Sequence, residues 1–163
     1  RPSPNLQNQT SIYLYPSLEL FEGTLICIGR VTDFPFQVFG HPKLKDMPFS
    51  FTPESRPGTS KNPPLKGELC HGVDLRDYNH SFFLELRQIN LDWLIFAYQS
   101  FPNKDKFFNS YFNTLMGSRQ LRQQLTQGLD EQTIRESWKE GLENFMLVRS
   151  KYLLYPDFTS TQH

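Results

Sequence analysis

The stretch Leu20 to Gly40, LFEGTLICIGRVTDFPFQVFG, decides how this 163-residue chain is read. Three charged side chains, Glu22, Arg30 and Asp33, are interleaved there with glycines and apolar residues instead of lying on a solvated face. Gly23 follows the carboxylate and Gly29 precedes the guanidinium. Glycine lets the backbone take positive φ or approach a ligand or another strand closely. Thr24 to Ile28 is β-prone, and from Phe34 the run to Phe39 alternates with a period near two. That pattern predicts a short strand, a turn around Asp33 and a second short strand. Glu22 and Arg30 then stand at opposite ends of one strand, either as an internal salt bridge that fixes a loop or as members of a site.

Upstream, Arg1 to Thr10 is polar, contains Pro2 and Pro4, and reads as an extended linker or strap. Ser11 to Leu20 predicts a short helix starting near Pro16, since proline is tolerated in a first helical turn. Downstream, His41 to Gly67 carries Pro42, Pro48, Pro53, Pro57, Pro63 and Pro64, the mark of a long proline-set loop. Within it only Met47 to Thr52 reads as a strand, with Phe49 and Phe51 on one buried face, and Ser55 to Lys66 reads as a mobile connection. Glu68 to Leu75 predicts a further strand.

From Asn90 onward the spacing becomes helical. Leu91, Leu94, Ile95 and Tyr98 follow a candidate N-cap at Asn90, and Phe101-Pro102 ends the element. Phe107 to Met116 predicts a second helix, and Ser118 to Gly128 a third built on Leu121 and Leu125. Asp130 opens the longest, in which Ile134, Trp138, Leu142, Phe145 and Met146 make one apolar stripe up to Arg149, expected in the core. The apolar tail Lys151 to Pro156 is expected to return to the sheet or the helices. Strands first and helices afterwards indicate an α+β fold: a small mixed or antiparallel sheet from the first half, packed by C-terminal helices. The expected organisation is a linker over 1–10 and one domain over 11–163.

Seventeen basic and seventeen acidic side chains give zero formal net charge, which argues against a nucleic-acid partner held by phosphate neutralisation. No apolar run reaches the roughly 18 residues of a membrane span, and the N-terminus has no signal-peptide core. The missing initiator Met and the Pro-rich start suggest a piece of a longer chain. A domain of this size needs neither metal nor disulfide to fold, and no cofactor is implied. Cys27 and Cys70 permit one disulfide that spacing alone cannot place. Cys70 and His71 are adjacent, so in an extended segment they face opposite ways and share no metal.

The Leu20 to Gly40 string resembles the signature of a bacterial family of exo-acting β-N-acetylmuramidases, approximately LFEGTNxSxGRGTxxPFxxxGAPW. Leu20, Phe21, Glu22, Gly23, Thr24, Gly29, Arg30, Thr32, Pro35, Phe36, Gly40 and Pro42 fall on it. The departures are Leu25 for Asn, Cys27 for Ser, Val31 for the middle Gly, and His41 and Lys43 for the Ala and Trp of GAPW. The end of the chain is similar as well: Ser137, Trp138, Gly141, Leu142, Phe145, Arg149, Tyr152, Leu153, Leu154 and Tyr155 match the family's closing pattern SWxxGLxxFxxxRxxYLLY, so the likeness runs from Pro2 to Tyr155.

The resemblance implies an exported two-part glycoside hydrolase whose upstream Rossmann-like domain carries the catalytic glutamate. This chain would be the downstream half that closes the cleft on a terminal N-acetylmuramic acid of a peptidoglycan fragment. Arg30 is then the candidate for the lactyl carboxylate, because a guanidinium fork holds a carboxylate by two parallel bonds. Glu22 would orient Arg30 or accept sugar hydroxyls, Thr24 and Thr32 would bond a hydroxyl or the acetamide, and Phe36 would supply an apolar wall. Asp33 belongs to the same candidate set. Two other readings stay open: a non-catalytic glycan-binding module, and a self-contained glycosidase with Glu22 and Asp33 as its carboxylate pair.

Overall fold

Asn8, eight residues before Pro16, starts the first helix. The computed structural model describes residues 3–56, 60–79 and 81–157. Helix α1 spans Gln9–Leu18. Asn8 Oδ1 accepts from the Ser11 amide at 2.8 Å while Ser11 Oγ accepts from the Asn8 amide at 3.3 Å, so two orphan donors are satisfied reciprocally. The expectation of a helix from Pro16 is corrected: Pro16 lies in the last turn of α1, where its missing N–H costs one bond. Helix α1 thus begins inside the stretch 1–10 that was read as a linker; Arg1 and Pro2 of that stretch lie outside the described residues. Leu14 and Leu18 anchor α1 in the core, and a 3-10 helix, Glu19–Gly23, continues directly from it.

The sheet comes from the first half, as read, and is antiparallel. Strands β1 (Val38–His41), β2 (Phe49–Phe51) and β3 (Cys70–Asp74) lie in the order β1-β3-β2. Gly72 on the central strand stands opposite Gly40 on one side and Phe49 on the other. Thr24 to Ile28 forms isolated bridges, Thr24 to Phe108 and Cys27 to Gly40, where a strand was expected. Its backbone is shared between two neighbours, so no continuous ladder develops. Phe51 is buried and stacks on the half-buried Phe49 at 6.0 Å. Of the connection over 55–66, residues 57–59 lie outside the description.

Helices follow: α2 (Ser81–Leu86), α3 (Asp92–Ser100), α4 (Phe112–Leu115), α5 (Gln120–Thr126), α6 (Glu131–Glu136) and α7 (Lys139–Arg149). Asn90 Oδ1 accepts from the Trp93 amide at 3.3 Å and Asp130 Oδ1 from the Thr133 amide at 2.7 Å, so both residues read as caps do cap. The helix predicted over Phe107 to Met116 is reduced to the four residues of α4. Phe107 and Phe108 are instead packed in a run of aromatic contacts, edge-to-face from Phe107 to Tyr98, Phe101 and Phe108, stacked from Phe108 to Tyr98 and tilted from Phe108 to Phe112. One apolar cluster joins α1, the 3-10 helix, β1 and α3 to α6.

Two expectations about the C-terminus are corrected. The element opened by Asp130 breaks at Ser137-Trp138 into α6 and α7, and the apolar stripe divides with it. Ile134 is fully buried and Trp138 packs on the core, but Leu142, Phe145 and Met146 are exposed, Phe145 at 58%. The tail is exposed too, with Tyr155 at 81%. An Arg149–Asp157 ion pair ties it back to α7. Among the described residues no helix is long and apolar enough to cross a membrane.

Candidate functional site

Residues 107–109 hold the Glu22 to Leu25 segment by its backbone. The Leu25 amide donates to Phe107 O at 3.0 Å and the Asn109 amide to Gly23 O at 3.0 Å. Asn109 Nδ2 donates to Glu22 O at 2.9 Å and to Thr24 O at 3.3 Å. Gly23 is required by packing: a Cβ there would lie 2.6 Å from Phe112 Cα. Gly29 takes φ +69°, the left-handed turn that aims the following Arg30.

Arg30 Nε donates to Glu22 Oε1 at 2.5 Å, and Arg30 Nη2 lies 3.7 Å from Glu19 Oε2. The guanidinium sits 4.9 Å from the centroid of the Phe36 ring. Neither partner is buried; the Arg30 side chain is 41% exposed. Burial first, then the charge of Glu22, hold the Glu19 carboxyl above its ordinary range against the opposing pull of Arg30. Glu19 Oε2 has no hydrogen-bond partner among the described residues.

The cluster opens onto a cavity of about 680 Å³, and Glu22, Thr24, Leu25, Cys27, Arg30 and Val31 are among its lining residues. Three of these, Leu25, Cys27 and Val31, are positions where the sequence departs from the muramidase pattern. Three residues that sequence reasoning passed over also line it: Asn5, His41 and Asn109. Asn5 sits in the stretch read as a linker, and its Oδ1 has no partner among the described residues. Asn109 fell inside a predicted helix, where nothing marked it.

The candidate residues divide. Glu22, Thr24 and Arg30 reach the cavity; Thr32, Asp33 and Phe36 are not among its lining residues. The Thr24 hydroxyl donates to Phe21 O at 2.8 Å and accepts from the Ile26 amide. Thr32 does the same with Gly29 O at 2.7 Å and the Phe34 amide, so both hydroxyls lock turns. Asp33 is 78% exposed and pairs with Arg56 at 2.8 Å, an interaction that holds its carboxyl below the usual range. Phe36 is buried beneath Arg30, edge-on to Tyr15 at 5.0 Å. Cys27 and Cys70 are free thiols, and burial pushes Cys70 up to about 12.

His41 is 5% exposed, its Nδ1 accepts from the Lys43 amide at 3.0 Å, and its ring meets Phe101 edge-on at 4.9 Å. Burial and the Lys43 charge lower its pKa to about 4. The folded state therefore binds the proton more weakly than the unfolded state, near 6.5. Its contribution to stability is complete above about pH 6.5 and is lost as pH falls toward 4. We expect a loss on the order of 3 kcal/mol across that window. Denaturant titrations of wild type and His41→Gln at pH 7 and pH 4 measure it; equal pH slopes in the two would refute it.

Fold and site together define an α+β domain with a cavity whose lining carries the Arg30 guanidinium beside the Glu22 carboxylate. Residues 13–155 match the family described as Exo-beta-N-acetylmuramidase NamZ, C-terminal, and the chain belongs to that family. A curated relative, the peptidoglycan beta-N-acetylmuramidase NamZ of Bacillus subtilis (strain 168), is 32% identical over 165 residues, covering 94% of this chain and 40% of the relative. A crystal structure of a DUF1343 family protein from Bacteroides fragilis NCTC 9343 superposes with a TM-score of 0.89 at 45% identity, over 96% of this chain and 44% of that one. A second from the same organism, 19% identical with a TM-score of 0.64 over 94% of this chain and 44% of that one, shares the fold. The chain thus spans less than half the length of these relatives.

Proposed function

We propose that this domain is the sugar-binding half of an exported exo-β-N-acetylmuramidase. It holds the terminal N-acetylmuramic acid of a peptidoglycan fragment at the cavity beside Arg30, while the remainder of the polypeptide supplies the main catalytic acid and the other wall of the cleft. The observation that carries this reading is the state of Arg30. Glu22 engages Nε and the Phe36 ring backs the guanidinium plane, so the side chain is pre-aimed, and Nη2 meets Glu19 only through the longer 3.7 Å ion pair, which a ligand anion can displace. Family membership supplies the substrate class; the lactyl carboxylate that distinguishes muramic acid from glucosamine supplies a reason for a positioned guanidinium.

Asp33, exposed and paired with Arg56, does not face Glu22 across the cavity, which favours the auxiliary reading over a self-contained carboxylate pair.

The test is turnover of a chromogenic β-N-acetylmuramoside and of the matching β-N-acetylglucosaminide. The full-length polypeptide should cleave the first and not the second, and the 163-residue chain should cleave neither. Comparable rates from the chain alone would overturn the division of labour. Preference of the full-length protein for the glucosaminide would overturn the substrate.

A further inference from the structure

Helix α7 has no reason to persist where it stands. None of its eleven residues is buried, and isolated helices of that length are marginal in water, so a helix in a folded protein is held by packing of an apolar face. Its sequence does carry such a face. Leu142, Phe145 and Met146 recur at i, i+3 and i+4, Leu147 flanks them, and Tyr152 and Tyr155 extend the apolar surface past the end of the helix. Scattered exposed apolar residues need no explanation, but a contiguous patch of this kind marks an interaction surface. A groove of about 680 Å³ runs along it, lined by Trp138, Leu142, Met146 and Leu147.

We propose that this face is the seat of the preceding portion of the same polypeptide, the portion that the relatives carry outside the matched region, and not of a second copy. Three observations favour that occupant. The Bacteroides fragilis structure at 45% identity is matched over 96% of this chain, yet the match covers only 44% of that protein. Nearly the whole of this fold therefore recurs in a molecule with more than half its length available to cover the helix. The matched family is a C-terminal one, so the additional length precedes this region.

The surface is also continuous toward the site. Trp138 lines the groove along α7 and a second groove that reaches Glu19, the neighbour of Arg30. A single docked body would thus cover α7 at one end and approach the ion cluster at the other. Covalent attachment adds to this: a tethered partner acts at an effective concentration in the millimolar range, ahead of a second copy in dilute solution. The inference stands whether or not the cavity takes a sugar.

Hydrogen exchange of the full-length polypeptide, with its mass followed by light scattering, tests the proposal. In the wild-type monomer, α7 amides should exchange more than about tenfold slower than those of a free helix. Leu142→Glu combined with Phe145→Glu should remove that protection and also speed exchange in the preceding portion, with the mass unchanged. Lysine cross-linking, which needs no substitution, should join Lys139 or Lys151 to the preceding portion within one molecule, and it decides the matter if the double variant fails to fold. Fast exchange of α7 in the wild type would overturn the proposal. So would links only between molecules, or a dimer that the substitutions split without altering exchange in the preceding portion.

Discussion

Gly72→Ala should destabilise this domain by roughly 3 to 5 kcal/mol, a large share of a typical 5 to 15 kcal/mol total. Gly72 lies on the central strand directly opposite Gly40, and an added Cβ would sit 1.9 Å from Phe39 O and 2.6 Å from Gly40 Cα. Both are backbone atoms, so no side-chain rotation relieves the clash and β1 must move away from β3. Gly40 closes the other side in the same way, with a Cβ position 2.6 Å from His71 O. The pair of glycines is thus what lets the strands approach, and β1 carries His41 to the cavity. A fall in Tm on the order of 10 °C is expected, at about 2 to 4 °C per kcal/mol for a chain of this size. Gly67→Ala is the comparison: it has φ +76° but nothing within 4 Å, so it should cost only the backbone strain, about 1 kcal/mol. Equal shifts for the two variants would show that β1 and β3 are not locked together.

What the sequence revealed follows from how local each signal is. Strands β2 and β3 were legible within Met47 to Thr52 and Glu68 to Leu75, but the strand expected from Phe34 was misplaced: residues 34–37 form a turn in which Phe36 takes φ +56°, and β1 begins only at Val38 and runs to His41, buried at every position and so without alternation. Helix α5 was legible from Ser118 and from Gly128, whose φ of +76° ends it. Helix α1 was misplaced because Pro16 looks like a start, whereas the start is Asn8 with Ser11 in the position where a Glu or Gln makes the recognisable capping box. Around the site, the ion pair was legible from glycine-flanked charges, but its depth was not. Nothing local says that the Thr24 and Thr32 hydroxyls are consumed by turns, or that Asn5 and Asn109, over a hundred residues apart in sequence, line one cavity. The α7 stripe shows a further limit of periodicity: it identifies an apolar face and cannot say whether the cover belongs to the same fold.

If the proposed function holds, Arg30→Lys in the full-length polypeptide should lower kcat/KM on muramic-acid substrates by roughly ten- to a hundredfold while leaving the fold nearly intact. The two halves of that expectation rest on different magnitudes. A charge-assisted hydrogen bond contributes on the order of 1.5 to 3 kcal/mol, and lysine keeps the charge but cannot offer two parallel donors to a carboxylate. The pair with Glu22, by contrast, is partly exposed, and such pairs contribute about 1 kcal/mol or less to stability. The stacking of the guanidinium over Phe36 would also be lost, which weakens pre-orientation more than it weakens a ring already buried among Tyr15 and its neighbours. The decisive comparison uses a substrate whose lactyl carboxylate is replaced by an amide. Wild type should prefer the acid and Arg30→Lys should lose most of that preference. If the substitution slows the acid and the amide equally, or unfolds the protein, Arg30 serves the loop between Gly29 and Phe36 and the anion is held elsewhere.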